Sequence, residues 1–434
     1  MSAFKHPFIR TGRVSFFFLC LLYTGLISIL YILVYLYSQF NKRLNKQLEN
    51  RNTSLWLEEV IRKKGQKECV LFYCCSAGEF EQAAPIAQFF ANKAYFVHFL
   101  FQSNSGIKHM DGLKEPWSYS KTPFDYFWNW KRIMKRLNPV ACILVKHEFW
   151  PGFMWASARY SHLFVSNLTV SHGGNGPSIC VRNSLLRFSS RVFLAHRSAF
   201  DQLDASVKKR ALYTGDTKLE RCQMRRQMKK GAIEKLEAHI VSLYGDKNRM
   251  ILGSAYEKDV ECVLQSFCQL KMEGGSHWQV VVVPHDPTAS FISFVKALSA
   301  KWELSCSLFS QELADKPDVL LVDRYGILFD VYASGKLAFL GGGFDGGVHN
   351  TIEPSVYGMP ICCGPNIQNE VEAYELIGAG HLTLVSSSPE LTEWWRKASR
   401  TAPPLSETFP ANAVLIGQTI LSLITNESDH PCQV

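Results

Sequence analysis

KLAFLGGGFDGGVHNTIEPSVYGMPICCGPNIQNE, residues Lys336–Glu370 of a 434-residue chain, decides the fold. Leu337–Leu340 is an apolar run of the kind that fills a central parallel strand. Gly341, Gly342, Gly343, Gly346 and Gly347 follow, where backbone can approach a ligand with no Cβ in the way. His349–Tyr357 reads as a helix: Asn350 suits the N-cap, Glu353 falls in the first turn, and Pro354 is early enough to be tolerated. Gly358 and Pro360 stop it. Pro360–Cys363 is a second strand, Gly364-Pro365-Asn366 a turn, and another helix starts at about Asn369. Two strand–loop–helix units in series thus put bare N–H groups and a helix N-terminus where a phosphate can sit. Glu353, facing the same crevice, can accept both hydroxyls of a ribose, so the stretch points to a nucleotide. No Gly-Lys-Ser/Thr follows, which excludes a P-loop, and the unit comes too late in the chain for a dinucleotide fingerprint. The plainer alternative is a glycine-rich turn that only closes a parallel sheet.

The same pattern recurs on the N-terminal side. Met250–Gly253 ends in Gly253-Ser254, with Glu257 and Asp259 after it. Trp278–Val283 leads to Pro284-His285-Asp286-Pro287, and Val319–Val322 to Asp323-Arg324-Tyr325-Gly326. Strand ends at 253, 284, 323, 341 and 364 would open toward one crevice, as a doubly wound nucleotide domain requires. His285 either meets the phosphate or caps the next turn. Further upstream, the apolar run Cys69–Cys75 is followed by Ser76-Ala77-Gly78-Glu79-Phe80-Glu81 and a helical Gln82–Asn92. Glu79 therefore lies at a strand's C-terminal end, where open α/β sheets place ligands; alternatively it is only a charge that favours the helix dipole. Ile143–Val145 runs into Lys146-His147-Glu148-Phe149-Trp150-Pro151. If the strand continues, Lys146 and Glu148 share a face, either as an ion pair or to orient a substrate acid and hydroxyl.

With 47% hydrophobic and 20% charged residues, the chain has enough material for two domains with real cores. The divisions fall at 1–51 (anchor and linker), 52–220, 221–425 and a tail, 426–434. The formal charge of +9 is spread along the chain, which suits anionic headgroups or phosphorylated and acidic substrates. No helix-turn-helix, RNA-binding or zinc-finger signature accompanies it, so nucleic acid is not expected as a partner. The 13 cysteines form no framework; pairs such as Cys74-Cys75 and Cys362-Cys363 read as free thiols in a reducing compartment. Neither a metal site nor a cofactor is indicated. Val14–Phe40 carries no charge between Arg13 and Lys42 and is long enough to cross a bilayer. It reads as a membrane anchor, with a buried core helix as the alternative.

Gly341-Gly342-Gly343-Phe344, Gly347, His349-Asn350, Glu353 and Gly364-Pro365-Asn366 together resemble the donor-binding signature of the 3-deoxy-D-manno-octulosonic acid (Kdo) transferases, in their Bacteroidetes-type form. The other runs resemble that family's motifs in order. Ser76-Ala77-Gly78-Glu79 is similar to its Ser-x-Gly-Glu, Lys146-x-Glu148-Phe149-Trp150-Pro151 to its Glu-Phe-Trp-Pro element, and Gly215-Asp216-Thr217-Lys218 to its interdomain junction. Gly253-Ser254, Pro284-His285 and Asp323-x-x-Gly326 are similar to its second-domain motifs. Asn167 also matches, but the arginine expected after it is missing.

The resemblance implies a GT-B fold: two Rossmann-like α/β domains facing a cleft, behind an N-terminal hydrophobic membrane-anchor helix. It implies Glu79 as catalytic base, and Ser76, Gly78, Lys146, Glu148 and Lys218 as acceptor or donor contacts. Gly253, Ser254, Pro284, His285, Gly326, Gly342, Gly343, Phe344, His349, Asn350 and Glu353 would bind the nucleotide. The implied reaction is inverting transfer of Kdo from CMP-Kdo to a lipid A precursor, by catalytic domains on the cytoplasmic side of a bacterial inner membrane. No Asp-x-Asp stands at a strand end, which agrees with a metal-independent mechanism. Two alternatives remain: a membrane-anchored transferase using another nucleotide sugar, and a non-catalytic nucleotide-sugar binding protein.

Overall fold

The computed structural model describes residues 13–41, 45, 51, 53–112, 116–146, 149–169, 176–274, 277–311, 316–348, 350–368, 370–401 and 411–426. The chain forms two compact units: Met1–Arg221 with Pro410–Val434, and Cys222–Phe409.

The first unit is built on seven strands: β1 (Cys69–Cys74), β2 (Phe96–Phe101), β3 (Ser118–Lys121), β4 (Pro139–Val145), β5 (His162–Leu168), β6 (Arg191–Leu194) and β7 (Ala211–Tyr213). They are all parallel, in the order β3-β2-β1-β4-β5-β6-β7. Every residue of β1 is buried, and alternation splits it between two cores. Cys69, Leu71 and Tyr73 pack with Trp130 and Phe153 on one face. Val70, Phe72 and Cys74 pack with Phe80, Phe90 and Ile416 on the other. The sheet order reverses between β1 and β4, so the turns after these two strands border the crevice where such sheets bind ligands.

The second unit repeats the scheme with β8 (Asn248–Ala255), β9 (Trp278–Pro284), β10 (Cys306–Leu308), β11 (Val319–Leu321), β12 (Leu337–Leu340), β13 (Ile361–Cys363) and β14 (Leu382–Leu384). Their order is β10-β11-β9-β8-β12-β13-β14, again parallel throughout. Here the reversal lies between β8 and β12. The glycine run after β12 and Gly253-Ser254 at the end of β8 therefore flank one switch point.

An N-terminal helix, Arg13–Ser38, contains the one span among the described residues long and apolar enough to cross a membrane, Cys20–Ser38. The core-helix alternative fails, because side chains such as Leu22, Leu26, Ile29, Leu33 and Leu36 lie open. One stripe of the helix nevertheless docks on the first unit. Cys20 joins its core, Tyr23 donates its hydroxyl to Asp125 Oδ2 at 2.7 Å, and the Asp125 amide donates to Tyr31 Oη at 2.9 Å.

The last helix, Asn412–Asn426, belongs to the first unit and lays Ile416 and Ile420 against the Ala77–Asn92 helix and the sheet. Its first turn is held by Glu220, whose two oxygens accept from the Ala413 amide at 3.1 and 3.0 Å. Burial pushes the Glu220 carboxyl up to about 7. A carboxyl raised on folding adds stability that is complete below its unfolded value and is lost as pH rises through about 7. A tenfold difference in proton affinity between the folded and unfolded chain corresponds to about 1.4 kcal/mol. The protein should therefore lose on the order of 1–3 kcal/mol of stability between pH 5 and 8 through this group. Glu220→Gln, which keeps the acceptor and removes the titration, should flatten that slope in denaturant melts at the two pH values.

Candidate active site

At the end of β1, Ser76 takes extended backbone as the N-cap of the Ala77–Asn92 helix, although its side chain makes no capping bond. Glu79 stands in the first turn, 7% exposed, and its Oε2 accepts the Cys75 amide. The carboxylate is thus fixed over its own strand–helix turn, where it also favours the helix dipole. A Cβ at Gly78 would meet only Ser76 Oγ, at 3.8 Å, so the protein's own packing does not demand glycine there.

Behind this turn lies a buried polar network. Gln82 Nε2 donates to Asp216 Oδ2 at 2.6 Å, and Asp216 Oδ1 accepts the Lys218 amide at 2.7 Å. Asn167, in left-handed backbone at φ 52°, accepts the Thr217 amide through Oδ1 at 3.0 Å, while its buried Nδ2 has no acceptor. Lys218 therefore begins its helix on a turn tied to the helix that carries Glu79.

Lys146 corrects an expectation. β4 ends at Val145, and Lys146 turns into left-handed backbone at φ 63°, so strand alternation does not continue to Glu148. Glu148 lies outside the described residues, as does His349.

In the second unit, the glycines are explained mostly by protein against protein. A Cβ at Gly341 would lie 2.3 Å from Ser254 O, and one at Gly343 would lie 2.6 Å from Gly364 N. Gly342 has φ 88°, where a side chain is strained. A Cβ at Gly253 would run into Tyr332 Oη. Several amides expected to be bare are also used: Gly341 N–H donates to Gly253 O, Gly342 N–H to Asp259 Oδ2 and Gly347 N–H to Gly342 O, at 2.8, 2.8 and 2.9 Å. Among the described residues of this turn, the amides of Gly343 and Phe344 are the adjacent pair with no protein acceptor. The run of bare amides is therefore shorter than the sequence suggests.

Asp259 is the clamp. Its Oδ2 accepts from both Tyr256 N and Gly342 N, at 2.9 and 2.8 Å, and burial raises its carboxyl to about 6. Ser254, at φ 53°, makes the irregularity near the end of β8, where the pairing with β9 shifts between Gly253 and Ala255.

The expected nine-residue helix is one turn, Ile352–Ser355. Asn350 is not its N-cap: Thr351 holds that place, and Asn350 adopts left-handed backbone at φ 58°. Asn350 Oδ1 is buried with no donor. Glu353 is partnered, accepting from Arg225 Nη1 at 3.1 Å, with the Arg225 guanidinium 4.4 Å from the Phe329 ring centroid. His285 does not cap the helix that follows, since Thr288 does; its ring stacks on Tyr256 at 5.0 Å. Pro284 is the buried last residue of β9. Phe344 stacks toward the core on Phe339, and Gly326 occupies a left-handed position at φ 81°.

Residues 46–220 match the model of the 3-deoxy-D-manno-octulosonic-acid transferase (kdotransferase) family. The 3-deoxy-D-manno-octulosonic acid transferase of Aquifex aeolicus is 25% identical over 333 residues, 75% of this chain and 85% of that one. The protein of the same name from Chlamydophila psittaci is 27% identical over 263 residues, 58% of each chain. Over most of its length the chain is similar to Kdo transferases. Solved structures agree on architecture. UDP-GlcNAc 2-epimerase from Neisseria meningitidis superposes with a TM-score of 0.60 at 13% identity, over 81% of this chain and 99% of that one. The Methanocaldococcus jannaschii epimerase gives 0.56 at 11%, over 83% and 100%. At such identities the likeness shows the GT-B fold alone.

The Kdo-transferase motifs leave out several residues that shape these sites. Asp259 was visible only as an acidic residue after Gly253-Ser254. Arg225 lies in a charge-dense helix where nothing distinguishes it from its neighbours. A cavity of about 740 Å³ lined by Arg226, Lys230, Glu234 and Tyr357 contains none of the residues singled out from the sequence.

Gly343→Ala should lower stability by about 1–3 kcal/mol through overpacking and weaken nucleotide binding at least tenfold. Gly346→Ala, whose Cβ meets nothing within 4 Å, should leave both within error. Calorimetric unfolding and nucleotide titration of the two variants check the contrast.

Proposed function

We propose that this chain is a glycosyltransferase that moves Kdo from CMP-Kdo to a lipid A precursor at the cytoplasmic face of an inner membrane. The observation that carries the reading is placement. Glu79 stands beside the switch point of the first sheet, inside the region matching the Kdo-transferase family, and the glycine turn stands at the switch point of the second. The activity of the relatives supplies the sugar.

In this reading Glu79 accepts the proton of the attacking acceptor hydroxyl as the new bond to the anomeric carbon forms. The bond from that carbon to the CMP phosphate oxygen breaks, and its electron pair leaves with the phosphate. The amides of Gly343 and Phe344 stabilise the charge that grows there. Attack opposite the leaving group inverts the anomeric centre, and no step calls on a metal. Glu353 accepts from the ribose hydroxyls while Arg225 holds it in place. Asp259 keeps the glycine turn in register, so donor binding follows the integrity of that clamp.

The reaction test is incubation of the purified full chain with lipid IVA and a CMP-Kdo supply, read by mass spectrometry. A product heavier by Kdo supports the reading; binding of UDP in preference to CMP, with no such product, overturns it. Glu79→Gln preserves the acceptor for the Cys75 amide and removes the base, so transfer should fall on the order of 10²–10⁴-fold with CMP affinity and melting temperature unchanged. Glu353→Gln should weaken CMP binding by about 1.5–3 kcal/mol. It should have less effect on a 2′,3′-dideoxy cytidine nucleotide, which has no diol to lose. Equal losses for both ligands would leave Glu353 only its ion pair with Arg225.

A further inference from the structure

The N-terminal helix is apolar on every side, yet its two faces meet different surroundings. Cys20, Tyr23, Ile27 and Tyr31 recur at three- and four-residue intervals and turn to the protein. Leu22, Leu26, Ile29, Leu33 and Leu36 follow the same rhythm on the other side and are more than half exposed. The docked side is specific. Tyr23 packs edge-on against Trp155 at 5.4 Å and Tyr31 against Phe124 at 4.5 Å, and both hydroxyls bond to Asp125, one to its carboxylate and one to its amide. Asp125 is itself 3% exposed and also accepts from Trp130 Nε1, Gly152 N and Phe153 N.

This docking sets a length limit. At about 1.5 Å per residue, the stretch from Cys20 to Tyr31 holds roughly 16 Å of helix against the protein. The pieces on either side, Arg13–Leu19 and Ile32–Ser38, are each about 10 Å long, and the second ends on buried Ser38. A hydrocarbon core of about 30 Å needs about 20 residues. Spanning with the docking intact would also carry Asp125 and its hydrogen-bonded loop to hydrocarbon depth, where a charge is expensive. The neighbouring helix Phe127–Leu137 instead carries interfacial features. Trp128 is exposed with Lys131 over its ring at 5.4 Å, and Arg132 and Lys135 are exposed on the same helix, as is Arg136, which pairs with Glu58. Such aromatic and basic groups sit at headgroup level facing anionic lipid.

We infer that the N-terminal helix lies along one leaflet, docked to the first unit by one face and sunk into lipid by the other, and does not cross the membrane. The partner is a lipid surface with anionic headgroups. The inference rests on the membrane attachment proposed above and is tested without turnover.

The full chain with an N-terminal epitope tag is expressed, and protease is applied to spheroplasts and to sealed inside-out inner-membrane vesicles. The expected result is that tag and catalytic units are digested together from inside-out vesicles and both survive in spheroplasts. A tag cut in spheroplasts while the units survive overturns the in-plane placement and leaves the attachment standing. In a second arm, purified full chain is floated with vesicles of phosphatidylethanolamine and phosphatidylglycerol. Leu26→Lys with Ile29→Lys should reduce the floated fraction at least tenfold with unchanged circular dichroism and CMP affinity. Wild-type chain that fails to float, or that sediments as a dimer with this face covered, overturns the attachment as well.

Discussion

Gly343 and Gly364 meet backbone to backbone, and neither position has room for a Cβ. That contact lets the turn after β12 lie directly on the turn after β13. Asn366 then donates its amide to Gly343 O and its side-chain amide to Asp345 O, while Val348 N–H donates to Asn366 O. From the opposite side Asp259 grips Gly342. Two strand ends and one helix start become a single unit whose remaining amides, Gly343 and Phe344, are fixed without a partner of their own. An anion meeting such a turn would find its amides already placed.

The first unit solves a related problem with side chains. Asn167, Thr217, Gln82 and Asp216 form a network sealed from water, and polar groups so placed hold geometry because leaving them unpaired is costly. Thr217 and Asp216 belong to the connection after β7, whereas Gln82 rides on the helix that bears Glu79. The position of that glutamate is therefore set by residues more than 130 positions away in sequence.

The parallel sheets were legible in the sequence, because strands buried on both faces are written as short continuous apolar runs. Cys69–Cys75, save its last residue, Ile143–Val145, Trp278–Val283 and Leu337–Leu340 all lie on strands. What local pattern could not reveal was long-range pairing and backbone hand. The run around Asn350 does not show where the helix begins, and the left-handed torsion there moves its start to Ile352. Glycines that look like room for a ligand turn out to be room for other backbone. Asp125 has no motif at all; it matters because donors from residues 23, 130, 152 and 153 converge on it, which only the fold can arrange.

That convergence also has a history in time. Tyr23 leaves the ribosome 102 residues before the carboxylate that will hold it. At about 5–20 residues per second, the interval is on the order of 5–20 s. Throughout it, the most apolar segment of the chain exists without its protein partner, while Gly152 and Phe153, the last donors to Asp125, are later still. The nascent helix must therefore be sheltered by something other than its own domain, and docking can only follow.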